Sequence, residues 1–449
     1  MTAPPRTSLQ RAIRLPHATA MVVGTIIGAS IFVQPSEVTS QVHSVGGVLL
    51  VWLAAGALTL IGSLVCAELA STFTRTGGVY VYLSEAFHPA LGFLWGWAML
   101  LTMHSGIIAA IATVFARYTA FFVPLGDAGS RAVAIAVILV LSAVNFVGVK
   151  HGSRLQTWFT AGKVLAIVAI VFTGLALGGR VPQHFVASAA TGGDPIGGFL
   201  LAMAAGLFAY GGWHMVTYSA EETVEPAKTI PRALLIGTLV VTAAYMAMNA
   251  IYLYVMPLDR VAASTRVAAD LADTLLGSGG GAAMSAVVMF SSFGALAGII
   301  LAGPRVYYAM AQDGVLFRWL GELHPKYATP HRAILLQAFW ASLLVATGTF
   351  RALFTRVIYT EWLFFGLMAI GLILLRRRGV PRQYSIWGYP VTPVLFAIAS
   401  FAIVARTLAS NPGDGIIGLG LVAVGLPIYI LRTSWTRAQR TEESETAGR

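Results

Sequence analysis

The sequence predicts an all-α integral membrane protein with 12 transmembrane helices, and three observations carry that expectation. The 449 residues are 57% hydrophobic and 10% charged, with a mean hydropathy of +0.77, whereas an average soluble domain is about 25% charged. So few charges cannot keep a core of this size in water; lipid must be the main solvent, and a soluble globular enzyme is excluded. Apolar runs long enough to cross a bilayer recur along the chain, and two of them, the first and the sixth, are interrupted by glycine near the middle. The 47 Gly and 19 Pro fit that setting, because membrane helices accept both where neighbours satisfy the freed backbone groups.

A hydrocarbon core about 30 Å thick takes about 20 apolar residues per helix. Runs of that kind cover, approximately, 17–39, 45–70, 90–122, 131–149, 155–178, 197–220, 232–256, 283–311, 332–350, 353–375, 389–409 and 414–431, with the shortest breaks around 350 and 410. An even number of spans puts both termini on one side, and the basic residues say which. With cytoplasmic termini, inside segments hold 20 of the 29 Lys and Arg, among them Arg11, Arg14, Arg75, Lys150, Lys228, Arg376, Arg377 and Arg378. The outside holds only Arg131, Arg180, Arg260, Arg266, Arg351 and Arg356, a positive-inside pattern. The formal charge of +11 is therefore a topological label. No basic helix or aromatic-interleaved patch of the nucleic-acid type occurs, so no nucleic-acid partner is expected. The N-terminal MTAPPRTSLQRAIRLPHATA lacks a small-residue cleavage site and reads as a retained cytoplasmic tail. Cys66, the single cysteine, lies in the second span and reads as a small core hydrophobe.

The interrupted spans carry Gly24-Thr25-Ile26-Ile27-Gly28-Ala29-Ser30 and Ala209-Tyr210-Gly211-Gly212-Trp213. They lie five helices apart; five is odd, so equivalent helices of two five-span halves would cross in opposite directions, as an inverted repeat. Matched broken helices in such halves point to a substrate site at the bilayer midplane, although glycines also serve close helix packing. Unwinding exposes N–H and C=O groups that need polar partners. The half-helix starting near Ala29 offers N–H groups and a positive dipole end, which suit a carboxylate. The half-helix ending near Phe208 and Ala209 offers carbonyls, which suit an ammonium. A ligand with both groups on one carbon is an α-amino acid, its side chain left to Phe208, Trp213, His214, Tyr359 and Trp362.

The same residues resemble the amino acid–polyamine–organocation superfamily of transporters, most closely the L-type amino acid transporter branch and its bacterial relatives. The resemblance rests on GTIIGASIFVQP (Gly24 to Pro35), the stretch from Glu68 through Arg75-Thr76-Gly77-Gly78 to Tyr82, VNFVGVKHGSRLQTWFTAGK (Val144 to Lys163), GLFAYGGWHMVTYSAEE (Gly206 to Glu222) and AGPRVYYAMAQDGVLFRWLGELHPKYATP (Ala302 to Pro330). These blocks fall in the family's order and spacing over most of 15–378. The resemblance implies a LeuT-type fold of five-plus-five inverted repeats with helices 1 and 6 broken: an N-terminal tail over 1–15, repeats over 16–180 and 195–378, two further helices over 385–432, and a tail over 433–449. It implies that Ile27, Gly28, Ala29 and Ser30 bind the carboxylate through backbone amides, with Ile26 beside them in the substrate site, and that Phe208, Ala209 and Gly211 flank the ammonium site. The family's usual Gly-Ser-Gly is Gly28-Ala29-Ser30 here, and His214 stands where animal L-type transporters tend to have Asn.

Charged side chains in mid-bilayer are costly. Lys163, about eight residues into the fifth span, stands in the resembled family where sodium-coupled relatives hold a cation, with Ser291 and Ser292 of the eighth span as expected partners. That implies sodium-independent transport. Glu361 of the tenth span reads either as a residue near the outer water boundary, paired with Arg356, or as a protonatable gate. His214 reads as a neutral pocket residue, His104 as a core histidine, Arg117 and Arg406 as snorkelling side chains, and Glu221 and Glu222 as a latch beside Lys228 and Arg232.

The expected function is transport of α-amino acids, with neutral side chains preferred, by exchange; proton symport is the alternative, and a non-transporting sensor or a channel fits less well. No His-Glu-x-x-His motif or metal-ligand spacing occurs, so no enzyme, cofactor or metal is expected. Animal L-type transporters are disulfide-linked to a glycoprotein subunit; with its only cysteine inside a span, this chain is expected to work without that partner. Ser30 is expected to narrow the site or add a hydrogen bond. Ser30→Gly should therefore broaden the set of amino acids that compete for uptake, and an unchanged profile and affinity would refute that role.

Overall fold

The computed structural model describes residues 11, 13–147, 152–179, 195–277, 279–348 and 350–432, with side chains left out for 152–155, 350–356 and 414. The terminal tails, apart from residues 11 and 13–15, Lys150 and Arg180, and the side chains of Arg154, Arg351 and Arg356, lie outside the described residues. Within those residues the structure is helical, apart from one isolated parallel bridge between Ile13 and Thr223. The helices are α1 (Leu15–Ile26), α2 (Gln34–Gln41), α3 (Val45–Thr72), α4 (Val79–Ala86), α5 (Pro89–Ala98), α6 (His104–Thr119), α7 (Asp127–Val147), α8 (Gly152–Leu177), α9 (Pro195–Ala209), α10 (Pro226–Val255), α11 (Leu258–Ala263), α12 (Val267–Leu276), α13 (Gly280–Gln312), α14 (His331–Thr347), α15 (Phe350–Arg377), α16 (Val391–Ser410) and α17 (Pro412–Ala423). A π-helical stretch, Met99–Met103, joins α5 to α6 in one span, and a 3₁₀ segment, Trp213–Glu222, continues α9. Proline opens α1, α2, α5, α10 and α17, where its missing N–H and fixed φ cost nothing.

Among the described residues, eleven stretches are long and apolar enough to cross a membrane, against the 12 expected. The difference is α14, whose 17 residues make about 25 Å at 1.5 Å per residue, short of a hydrocarbon core about 30 Å thick.

Side-chain placement along α8 shows which solvent the fold expects. Gln156, Thr160, Lys163 and Ile167 are buried, whereas Trp158, Leu165 and Phe172 are exposed. Both sets follow a helical repeat, with the polar stripe facing protein and the apolar stripe facing out. In water that pattern would be inverted.

Ion pairs gather on the face where Ile13 meets Thr223. Arg75 bridges Asp313 at 3.0 Å and Glu85 at 3.1 Å, and Tyr80 donates to Asp313 at 2.7 Å. Burial and the neighbouring carboxylate push the Tyr80 phenol up, so it stays a donor. Glu221 and Glu222, expected beside Lys228 and Arg232, meet other partners. Glu222 takes a forked pair from Arg305 at 3.1 and 3.2 Å, Glu221 accepts from the Thr76 amide, and Lys228 pairs with Glu225. Glu222 is half-buried against Arg305, whereas Glu221 stays exposed. Deeper, Glu68 receives both arms of Arg376 at 2.6 and 2.5 Å and the Ile386 amide at 2.6 Å, tying α3 to the end of α15. Glu68→Gln should lower the thermal unfolding midpoint in detergent by several degrees, a cost on the order of 3 kcal/mol for breaking a buried pair.

Candidate functional site

The first break begins where α1 runs out of helix. Ile27 takes a non-helical conformation (φ −73°, ψ 86°), its amide still bonded to the Val23 carbonyl. Gly28 closes a tight turn onto Ile26 at 2.8 Å, and the chain re-enters a 3₁₀ turn at Ser30–Phe32 before α2. The second break follows Ala209. Gly211 donates to Phe208 at 3.0 Å, and Gly212 takes φ +99°, a region that favours glycine. A Cβ at Gly212 would also stand 3.1 Å from the Thr25 carbonyl oxygen, so the two breaks touch here.

Three side chains satisfy the carbonyls thus exposed. Lys163 Nζ donates to Gly24 at 3.1 Å and Ile27 at 2.9 Å, a buried cation against the negative end of α1. Ser291 Oγ donates to the Gly28 carbonyl at 2.9 Å. Ser292, expected beside it, bonds instead to Val288 within its own helix, because adjacent residues on a helix point about 100° apart. The Tyr245 hydroxyl lies 2.9 Å from the Ile26 carbonyl and 3.0 Å from that of Ala209, bridging both breaks. Its ring is held edge-on to Trp52 and against Tyr210. Thr25 Oγ1 adds a contact of 3.2 Å to the Gly212 carbonyl.

The amides differ from the carbonyls. Those of Ile27 and Gly28 are occupied, so the expectation that they read a carboxylate is corrected by the way the helix ends. Within the described chain no hydrogen bond engages the amides of Ala29, Ser30 and Ile31. Unpartnered N–H groups at a half-helix start suit an anion.

A cavity lies between the breaks, lined by Thr25, Ile26, Gly28, Ser30, Ile107, Ile111, Phe208, Gly211, Gly212, Met215, Ile299 and Glu361. At about 10 Å³ it has room for about one water, so the conformation is closed. Of the residues singled out from sequence, it gathers Ile26, Gly28, Ser30, Phe208, Gly211 and Glu361. Ile27, Ala29 and Ala209 are buried at the breaks without lining it. Trp213, Tyr359 and Trp362 do not line it either: Trp213 packs on Phe365 at 4.9 Å, Trp362 on Phe365 and Phe396, and Tyr359 abuts Gly418 in α17. These residues face neighbouring helices because the break at 210–212 and the register of α15 turn them away.

His214 stands one layer behind the cavity, ringed by Trp95, Trp213, Tyr218 and Phe365 at 5.0–5.7 Å between ring centres. Its Nε2 lies 3.7 Å from Glu361 Oε1, with both residues buried. Glu361 is therefore an inner-wall residue; the expected alternative partner, Arg356, has no described side chain. His104 donates to the Ile299 carbonyl at 2.7 Å, as a core histidine does. Sequence reasoning missed Thr25, Ile107, Ile111, Met215, Ile299 and Tyr245. Only Thr25, a hydroxyl within the first glycine-interrupted stretch, and Tyr245, a phenol at mid-span, carried any polar signal. Among the described residues no group of three or more His, Cys, Asp or Glu could hold a metal ion.

A family model described as amino acid permease matches residues 13–423. The chain belongs to the amino acid permease family. This permease is 33% identical to the serine/threonine exchanger SteT of Bacillus subtilis (strain 168) over 426 residues, 94% of this chain and 96% of the relative. It is 33% identical to human b(0,+)-type amino acid transporter 1 over 414 residues, covering 91% and 85%, and 32% identical to the human large neutral amino acids transporter small subunit 2 over 441 residues, covering 95% and 81%. The family and these relatives are membrane amino acid transporters, not enzymes, and the permease is a multi-pass membrane protein.

Tyr245→Phe would leave the Ile26 and Ala209 carbonyls without their common donor, at a cost of about 1–3 kcal/mol. It should weaken substrate binding roughly tenfold, read by equilibrium binding of a labelled amino acid. Unchanged affinity and thermal stability would show that the bridge contributes nothing.

Proposed function

We propose that this permease exchanges α-amino acids across the plasma membrane by alternating access, without sodium, preferring neutral side chains, with both termini cytoplasmic. The observation that carries the reading is the pairing of two broken helices around one cavity, with the unbonded amides of Ala29, Ser30 and Ile31 on one side and the carbonyl end of α9 on the other. A carboxylate would dock on the amides and an ammonium against carbonyls of Phe208 and Gly211, whose oxygens each have two lone pairs. Most of the cavity wall is apolar, which favours neutral side chains. Relatives named for serine/threonine exchange and for large neutral amino acids support the same substrate class.

In this reading the chain has the LeuT-type plan of inverted repeats over 16–180 and 195–378, with 385–432 appended and α14 crossing as the twelfth, shortest span. Lys163 supplies the fixed positive charge that a sodium ion would otherwise bring to the first break. The ion pairs on the terminal face would close the cytoplasmic path and have to part for the inward-facing state. The lone Cys66 is buried, and the permease is proposed to need no disulfide-linked subunit. Because Glu361 lines the cavity beside His214, proton coupling remains a second reading with a specific observation behind it.

Purified permease in liposomes, tested with a labelled amino-acid panel, should show uptake that is saturable, stimulated by internal amino acid, and unchanged when potassium replaces sodium. A sodium requirement would sink the role given to Lys163; uptake indifferent to internal substrate would sink exchange.

A further inference from the structure

The pair formed by His214 and Glu361 is the one arrangement near the cavity that the exchange reading leaves unused. Glu361 carries the only ionisable side chain among the lining residues, and its only ion-pair partner among the described residues is His214, at 3.7 Å. That distance is too long for a direct hydrogen bond. His214 Nδ1, on the other side of the ring, is buried without a partner. Among the described residues no other cation lies within ion-pair distance of the carboxylate. Tyr218 stands against His214 on the 3₁₀ segment and feels Glu361, with Tyr82 of α4, Cys66 of α3 and Tyr307 of α13 beyond it. On α6, His104 faces His214 but is committed to the Ile299 carbonyl, and Lys163 is spent on Gly24 and Ile27. Phenols and a thiol ordinarily titrate above neutral pH, so the pair is the group that can change charge as the cavity fills.

We propose that closure of the cavity around a substrate with a neutral side chain is linked to uptake of one proton by the His214–Glu361 pair, and that a substrate carrying a cationic side chain binds without it. This deepens the amino-acid reading and rests on it. When the cavity is open, water hydrates the carboxylate. When it closes, Glu361 is left in a wall of Ile107, Ile111, Ile299, Phe208 and Met215, and a dehydrated, unpaired carboxylate takes up a proton instead. The proton comes from bulk water and lodges between Oε1 of Glu361 and Nε2 of His214; either position cancels the carboxylate's net charge. A side-chain ammonium would supply the cancelling charge itself. In exchange of two neutral substrates a proton then crosses with each, in opposite directions, whereas exchange of neutral for cationic substrate moves one proton net.

Isothermal titration calorimetry on the full chain, in buffers of low and high ionisation enthalpy such as phosphate and Tris, counts protons taken up per ligand bound. The probes are L-homoserine and L-2,4-diaminobutyrate, which differ by a terminal hydroxyl against an ammonium. Homoserine should take up about one proton, and its affinity should rise up to tenfold for each unit of pH lowered, the slope of a one-proton linkage. Diaminobutyrate should take up none. In Glu361→Gln the buffer dependence and the pH slope should vanish, whatever affinity is left; should that variant not fold, the wild-type buffer series still decides. Buffer-independent heat for homoserine in the wild type, or linkage that survives in Glu361→Gln, overturns the proposal. No binding of either probe or of any amino acid would overturn the amino-acid reading itself, a result distinct from binding without proton uptake.

Discussion

The structure depends on keeping a broken helix stable inside a bilayer. An exposed carbonyl or amide in hydrocarbon costs several kcal/mol, and α1 ends at Ile26, in the middle of the protein. Three side chains from three other helices meet that demand: Lys163 of α8, Ser291 of α13, and Tyr245 of α10 cover Gly24, Ile27, Gly28 and Ile26, while Gly28 turns its own amide onto Ile26. Each helix around the first break is therefore chosen for one polar atom at one depth. Sequence far from the break is fixed by it, which is why α8 carries a buried polar stripe through Gln156, Thr160 and Lys163.

The carbonyls and amides of the break are treated differently, and that asymmetry separates scaffold from site. Carbonyls are bonded to fixed side chains, so they hold the unwound geometry when no ligand is present. The amides of Ala29, Ser30 and Ile31 have no hydrogen-bond partner within the described chain, which is what the proposed carboxylate site requires. Had Lys163 been missing, its two carbonyls would compete for any cation in the cavity, including the substrate's ammonium. The Lys163 side chain satisfies them, which would leave the ammonium of the proposed ligand to the second break.

Much of this was legible in the sequence because it is local. Glycines at 24, 28, 211 and 212 mark the breaks, hydropathy marks the spans, and a charge as deep as Lys163 has few explanations. What was illegible depends on rotation about helix axes set by packing. Trp213, Tyr359 and Trp362 are aromatic residues at the right depth, yet the 3₁₀ winding after Gly212 and the seat of α15 against α16 turn them outward, while Met215, Ile107 and Ile299 turn in. Apolar wall residues resemble lipid-facing ones when read from a sequence that is apolar throughout. Ser292 failed for a simpler reason: it neighbours Ser291 in sequence but not on the helix face. The run expected over 332–350 is helical only as far as Thr347, which leaves α14 shorter than the eleven other stretches.

The His214–Glu361 pair ties these strands together. A carboxylate in the cavity wall conflicts with a preference for neutral side chains only if it stays ionised when the cavity closes. Distance and burial make the conflict conditional, because the one ion-pair partner of Glu361 among the described residues is His214, with no Lys or Arg paired to it. The same wall can then close on a neutral side chain with a proton, or on a cationic one without, and total charge in the closed cavity is equal in both cases. Conformational change in a low-dielectric protein is sensitive to net buried charge, so equal charge is what lets one closed state serve both kinds of substrate. Lys163 contributes its charge identically in each case, being bonded to backbone on the far side of α1. Proton uptake as proposed would thus separate a constant charge that maintains the break from a variable one that answers to the ligand.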